Sequence, residues 1–124
     1  MPRKKVTFAT VRELGLPLPG AEEGTMYGSP ALKVQGKMFA CIAIHPSAEP
    51  NTLAVRIDFE QRDAMIAADP STYYLKPHYA NYPCVLVRLS RVAPDALRDL
   101  LHAGWRFVSA EASRSSRRRK PRRA

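Results

Sequence analysis

The chain is 124 residues long, 45% hydrophobic and 25% charged, with a formal net charge of +9 and two cysteines. That length holds one domain, with a core large enough to fold without disulfides or a structural metal. Cys41 and Cys84 stand far apart in apolar runs, unlike a secreted disulfide framework, and no run approaches the roughly 18 apolar residues of a membrane span.

Met1-Pro2-Arg3-Lys4-Lys5-Val6 has basic residues with no apolar stretch after them, so no secretory leader and a cytoplasmic location are expected. Val6 to Leu16 reads as a short helix: Thr7 is placed to cap it, Val6 and Val11 form a hydrophobic staple, and Gly15 and Pro17 stop it. Thr25-Met26-Tyr27 is a short strand. Ala31–Val34 and Lys37–Ile44 flank Gln35-Gly36, a two-residue hairpin signal. In the longer strand Met38, Ala40, Ile42 and Ile44 are expected on one face, with Phe39, Cys41 and Ala43 on the other. Leu53, Val55 and Ile57 alternate with Ala54, Arg56 and Asp58, the pattern of a strand with one wet face.

Asp58 caps a helix over Phe59–Ala68, with Gln61 completing a capping box. Tyr73-Tyr74-Leu75 is a short strand, Pro77–Pro83 an irregular aromatic loop, and Val85, Val87 and Leu89 mark a last strand. In the final helix Pro94 suits the first turn and Asp95 complements the dipole. Leu97, Leu100, Leu101, Gly104, Trp105 and Val108 form its apolar stripe, with Trp105 expected in the core. The composition changes after Ala110, so the expected organisation is a basic extension over 1–5, one domain over 6–110 and a disordered Arg-rich tail over 111–124. The expected fold class is α+β: an antiparallel sheet of five to six strands, with helices at both ends of the chain and one in the middle.

Several strings ride on this order: Glu22-Glu23-Gly24-Thr25-Met26-Tyr27-Gly28-Ser29-Pro30-Ala31, Gly36-Lys37-Met38-Phe39-Ala40, Pro77-His78-Tyr79-Ala80-Asn81-Tyr82-Pro83 and Val85-Leu86-Val87-Arg88-Leu89. Together they resemble the MmcQ/YjbR-like family of small bacterial proteins over roughly residues 8 to 108. The resemblance implies a double-wing α+β fold and the DNA-binding label often given to such proteins, a label that rests on fold analogy. The Arg-rich tail lies outside the family pattern.

Charge is segregated. Arg3, Lys4 and Lys5 supply three positives; Arg114, Arg117, Arg118, Arg119, Lys120, Arg122 and Arg123, less Glu111, supply a net of six. Residues 6–110 then hold ten positives and ten negatives, so the domain has no overall field to attract a polyanion. The tail is the candidate contact for DNA or RNA phosphates; the alternative is a solubilising end that binds polyanions only at low salt. With no aromatic among its arginines, it lacks a platform for single-strand stacking.

On the domain, Tyr27, His78, Tyr79 and Tyr82, with Arg56 and Arg88, form a candidate surface for a protein or metabolite. The bland reading makes these tyrosines lids over the sheet edge. No nucleophile, metal-ligand or phosphate-loop spacing stands out: His45, His78 and His102 are scattered, Cys84 opens an apolar strand and Cys41 sits within one. A non-enzymatic monomer without metal or cofactor is expected, acting either as a nucleic-acid-associated accessory protein or as a small interaction module. The discriminator is whether Lys33, Arg56 and Arg88 join Arg12 or Arg62 in one positive surface, or whether carboxylates such as Asp58, Glu60 and Asp63 interrupt them.

Overall fold

The computed structural model describes residues 6–26 and 28–118, with side chains through Ala112. The elements are α1 (Phe8–Gly15), β1 (Ala21–Met26), β2 (Ser29–Val34), β3 (Lys37–Ile42), β4 (Thr52–Arg56), α2 (Phe59–Ala68), β5 (Tyr73–Tyr74), α3 (Pro77–Ala80), β6 (Cys84–Arg88) and α4 (Pro94–Arg118). Local chemistry starts and stops them, with one difference from expectation: the Gln61 side chain donates to the Asp58 carboxylate at 2.6 Å rather than to the Asp58 amide, so Asp58 caps its helix without a capping box. The Thr7 hydroxyl accepts from the Ala9 amide and Thr10 returns the bond, a capping box that opens α1. The Asp58 carboxylate accepts from the Gln61 amide at 2.7 Å and opens α2. Gln35 and Gly36 both take positive φ, 53° and 78°, the mirror-image turn that suits strand twist in a two-residue hairpin.

The strands form one antiparallel sheet in the order β1-β2-β3-β4-β6-β5. The strict alternation expected for β3 fails at one residue. Leu32 pairs with Ala40, but Lys33 pairs with Met38, so Phe39 is an extra residue opposite that step. This bulge puts Phe39 in the same core as Ala40, while Met38 joins Cys41 and Ala43 on the other face. Phe39 is fully buried, and burying such a ring contributes roughly 1.5–3 kcal/mol. The bulge is therefore held by the side chain it inserts.

α1, α2 and α4 cover one face of the sheet. Val11, Phe39, Leu53, Val55, Val87, Leu97, Leu101 and Val108 meet there in the main core, with Met65 and Ile66 of α2 against it. α4 comes closest at Gly104, where a Cβ would lie 2.8 Å from Val55 Cγ1 and 2.9 Å from the Arg56 carbonyl oxygen. The buried stripe continues to Ala112. Trp105 lies beside the stripe rather than within the core. It is half-buried, its indole N–H donates to the Pro19 carbonyl at 2.8 Å, and its ring stacks on His102. It thereby ties the 16–20 connector to α4, because a ring with one N–H donor sits well where one edge is dry and the other reaches a carbonyl.

Four other expectations are corrected. β1 starts at Ala21, since ladder pairing with β2 recruits Glu22, Glu23 and Gly24, residues poor in intrinsic strand preference. β3 stops at Ile42, short of Ile44. The 77–83 loop contains the one-turn helix α3, with Pro77 in its first turn. α4 runs past Ala110 to Arg118, so residues 111–118 are helical rather than disordered; Ala112 still packs, and the apolar stripe carries the helix beyond the change in composition. Among the described residues no helix is long and apolar enough to cross a membrane.

Candidate functional site

The second face of the sheet is not wet. Ala31, Cys41, Ala54, Tyr74 and Leu86 are buried on it, with Met26, Met38, Ala43 and Tyr79 packed against them. The register explains the grouping. Cys41 lies opposite Ala54 and Cys84 opposite Arg56, so Cys41, Ala54, Arg56 and Cys84 project to one side of three neighbouring strands. Three of these side chains are small, and no long helix covers them. The result is a groove of about 670 Å³, within the ~300–1,000 Å³ typical of ligand pockets. Met26 and Met38 line it from the strands, Ala43 to Pro46 from the loop after β3, and His78, Tyr79, Tyr82 and Pro83 from α3 and the turn after it.

Two polar networks fix the walls. Tyr74 rises from β5, and its hydroxyl accepts from the Glu49 amide at 2.8 Å and lies 2.7 Å from Thr52 Oγ1. Arg88 stacks over the Tyr74 ring at 4.2 Å and donates to both Glu49 carboxylate oxygens at 2.8 and 2.7 Å, and to the Pro70 and Ser71 carbonyls. Those bonds hold the Glu49 carboxyl below its ordinary pKa. The loop after β3 is thus pinned to the sheet at its far end. On the other side Arg62 of α2 is buried and donates to the Ala80 and Tyr82 carbonyls at 3.0 and 3.3 Å. It satisfies the Ala80 carbonyl that a one-turn helix leaves without a partner, and adds a second bond to the Tyr82 carbonyl, which already accepts from the Cys84 amide.

At the mouth the His45 and His78 rings stack 3.5 Å apart, and Tyr79 meets both edge-on. The Ser47 amide donates to His45 Nδ1 at 3.1 Å, which leaves the proton of the neutral ring on Nε2. Ile44 and Tyr82 are the exposed apolar groups at this rim, at 53% and 59%. On the floor, burial pushes the Cys41 thiol up to about 11 and the Cys84 thiol likewise, the latter against the pull of Arg56 and Arg62. Both thiols are protonated near neutral pH and are poor nucleophiles. Among the described residues no group of three or more His, Cys, Asp and Glu could hold a metal ion.

A family model described as YjbR matches residues 16–107. The chain belongs to the YjbR family. Uncharacterized proteins of Mycobacterium tuberculosis and Mycobacterium bovis are 40% identical over 42 residues, 34% of this chain and 33% of theirs. The match thus spans about a third of the length of these relatives. The crystal structure of a Deinococcus radiodurans protein with a DUF419 domain superposes with a TM-score of 0.72 at 21% identity, covering 90% of this chain and 85% of that one. At that identity the likeness is one of fold, and it matches the α+β architecture expected from the sequence.

In this YjbR domain, Arg56, His78, Tyr79 and Tyr82 converge on the groove as a single site. Arg88 is not part of it; its guanidinium is spent on Glu49 and Tyr74. Tyr27 lies outside the described residues, as do Arg119, Lys120, Arg122 and Arg123 and the side chains of Arg114, Arg117 and Arg118. Of the two arrangements left open by the sequence, Arg12, Arg56, Arg62 and Arg88 follow the interrupted one, each paired with a carboxylate. Arg12 pairs with Glu23 at 2.8 Å, Arg56 with Glu111 at 2.9 Å, Arg62 with Asp63 at 3.0 Å and Arg88 with Glu49 at 2.7 Å. Asp63 is the one interrupting carboxylate expected from sequence; Glu23, Glu49 and Glu111 come from distant segments. Sequence reasoning also missed the floor and walls: Met26, Met38, Ala43, Ala54 and His45. The available signal was Cys41, Ala43 and Ala54, small residues at outward strand positions where an exposed face would carry polar ones.

Proposed function

We propose that the folded YjbR domain is a binding module whose site is the groove under α3, and that it binds its ligand without chemically changing it. The observation that carries this reading is the open, apolar groove on a sheet face that the three long helices leave bare. Its walls are tied down by Tyr74, Arg88 and Arg62 before any ligand arrives, which lowers the ordering cost of binding. The protonated thiols favour binding over covalent chemistry. Methyl-detected NMR on the full chain with a small-fragment library tests it. Hits should shift the methyls of Met26, Met38 and Ala43, and Ala54→Phe, which fills the floor, should abolish them. Shifts confined elsewhere, or unchanged in the Phe variant, would overturn the reading.

A second reading has its own support, the segregation of charge to the chain ends. The tail cations Arg114, Arg117, Arg118, Arg119, Lys120, Arg122 and Arg123 suit phosphate contact. DNA or RNA binding would then be an accessory activity of the tail, while Arg12, Arg62 and Arg88 of the domain stay paired with Glu23, Asp63 and Glu49. Six or seven tail cations give a log–log salt slope of roughly −5 to −6 on duplex DNA, without sequence preference. Anisotropy with the full chain and a tail variant carrying Gln at those seven positions measures it. Sequence-selective binding retained by that variant would place the interface on the domain.

A further inference from the structure

We propose that the groove takes a flat aromatic monocarboxylate, its ring lying over Cys41, Ala54 and Cys84 and its carboxylate meeting Arg56. This rests on the groove being the domain's binding site and adds the ligand's chemical class. The floor is three small side chains on neighbouring strands of one sheet, a surface on which a planar ring can lie close to the backbone. Its chemistry suits a π-system. Met26 and Met38 supply thioethers beside the two thiols, and sulfur favours aromatic ring edges. Tyr79 stands edge-on to the stacked His45 and His78 rings, all three in the lining, so aromatic edges and faces are already present there.

Charge selects the sign of the polar group. The lining residues include the cation Arg56 and no Asp or Glu. Arg56 is held in place from two sides. Its Nε–H donates to the Pro83 carbonyl at 3.2 Å, and one Nη donates to Glu111 at 2.9 Å from α4, while the guanidinium lies 5.6 Å from the Phe107 ring centre. A guanidinium carries five N–H donors, so donors remain for an incoming carboxylate. Glu111 does not line the groove, so it orients the cation from behind and competes with the ligand for its charge. The neutral thiols bring no negative charge to the floor that would repel an anion.

The test titrates naphthalene-2-carboxylate and its neutral counterpart 2-naphthylmethanol into the full chain, read by methyl NMR. In the wild type the carboxylate should bind about tenfold tighter than the alcohol, the size expected of a hydrogen bond to a charged group. Arg56→Gln should erase that preference while leaving alcohol affinity within about twofold. Glu111→Gln, which leaves Arg56 intact and removes its competitor, should widen the preference, and it decides alone if Arg56→Gln fails to fold. Ala54→Phe should abolish both titrations. Equal binding of the two probes in the wild type, or a preference untouched by both Gln variants, would overturn the carboxylate assignment. The groove reading would survive that result if Ala54→Phe still blocks the alcohol, and would fall with it if neither probe shifts the Met26 and Met38 methyls.

Discussion

Replacing Gly104 by Ala should destabilise the domain, although the same change in most helices does the opposite. In an unobstructed helix interior Ala is favoured over Gly by roughly 0.8–1 kcal/mol. Here the new Cβ would lie 2.8 Å from Val55 Cγ1, 2.9 Å from the Arg56 carbonyl oxygen and 3.4 Å from the Phe39 carbonyl oxygen. Two of those three atoms are backbone, in strands locked into the sheet, so they cannot turn aside as a side-chain tip would. Relief requires α4 to lift by a few tenths of an ångström along a face that also buries Leu97, Leu101 and Val108. Overpacking of a close-packed core costs about 1–3 kcal/mol, and the backbone obstruction argues for the upper end. The net effect is then a loss of about 2 kcal/mol, or roughly 8 °C in melting temperature at about 4 °C per kcal/mol. Thermal melts of the full chain measure it. Ala110→Gly, at an exposed position of the same helix, should lose about 1 kcal/mol and so calibrates the propensity contribution. In a Val55→Ala background the Gly104→Ala penalty should shrink without vanishing, since the Arg56 oxygen remains. A rise in melting temperature for Gly104→Ala would show that α4 does not seat this closely.

Tyr74→Phe removes the hydroxyl shared by the Glu49 amide and the fully buried Thr52, and should cost about 1–3 kcal/mol; hydrogen exchange should speed up at Glu49, and an unchanged rate there would refute the pinned-loop account. The folded thiols ionise at about 11 against an ordinary 9.0, so the folded state holds their protons more tightly. Their contribution is full below pH 9 and is lost as pH rises to about 11, by at most about 1.4 kcal/mol per pH unit per thiol. Chemical denaturation across that window should show the loss, and the Cys41→Ala, Cys84→Ala double variant should flatten it; a slope shared by both proteins would assign the effect to other groups. Trp105→Phe should lose about 1 kcal/mol with the Pro19 hydrogen bond; near-neutral stability would mean the connector is held by other contacts.

Much of the fold is determined locally. Thr7 and Asp58 cap their helices through bonds to amides two or three residues away, Gln35-Gly36 closes its hairpin through its own φ values, and the stripe from Leu97 to Val108 is a property of helical spacing. These signals act within a few residues, so the sequence carries them whole. The family strings likewise pointed to the architecture that the structure has.

What the tertiary structure decided lies between segments far apart in the chain. The Phe39 bulge exists because β2 and β3 pair out of step by one residue, and it exchanges the faces of Met38 and Phe39. No periodicity within β3 encodes that step. The pairing of Arg56 with Glu111 and of Arg88 with Glu49 spans 55 and 39 residues, so charge counting could balance the domain without locating its cations. The groove is the clearest case. Ala54 looks like a filler between Leu53 and Val55, and it becomes a floor only when register sets it beside Cys41 and diagonal to Cys84, with α3 held above by an arginine from α2. A site assembled from four strands, a loop and a one-turn helix is a relation among distant residues, and only packing brings them together.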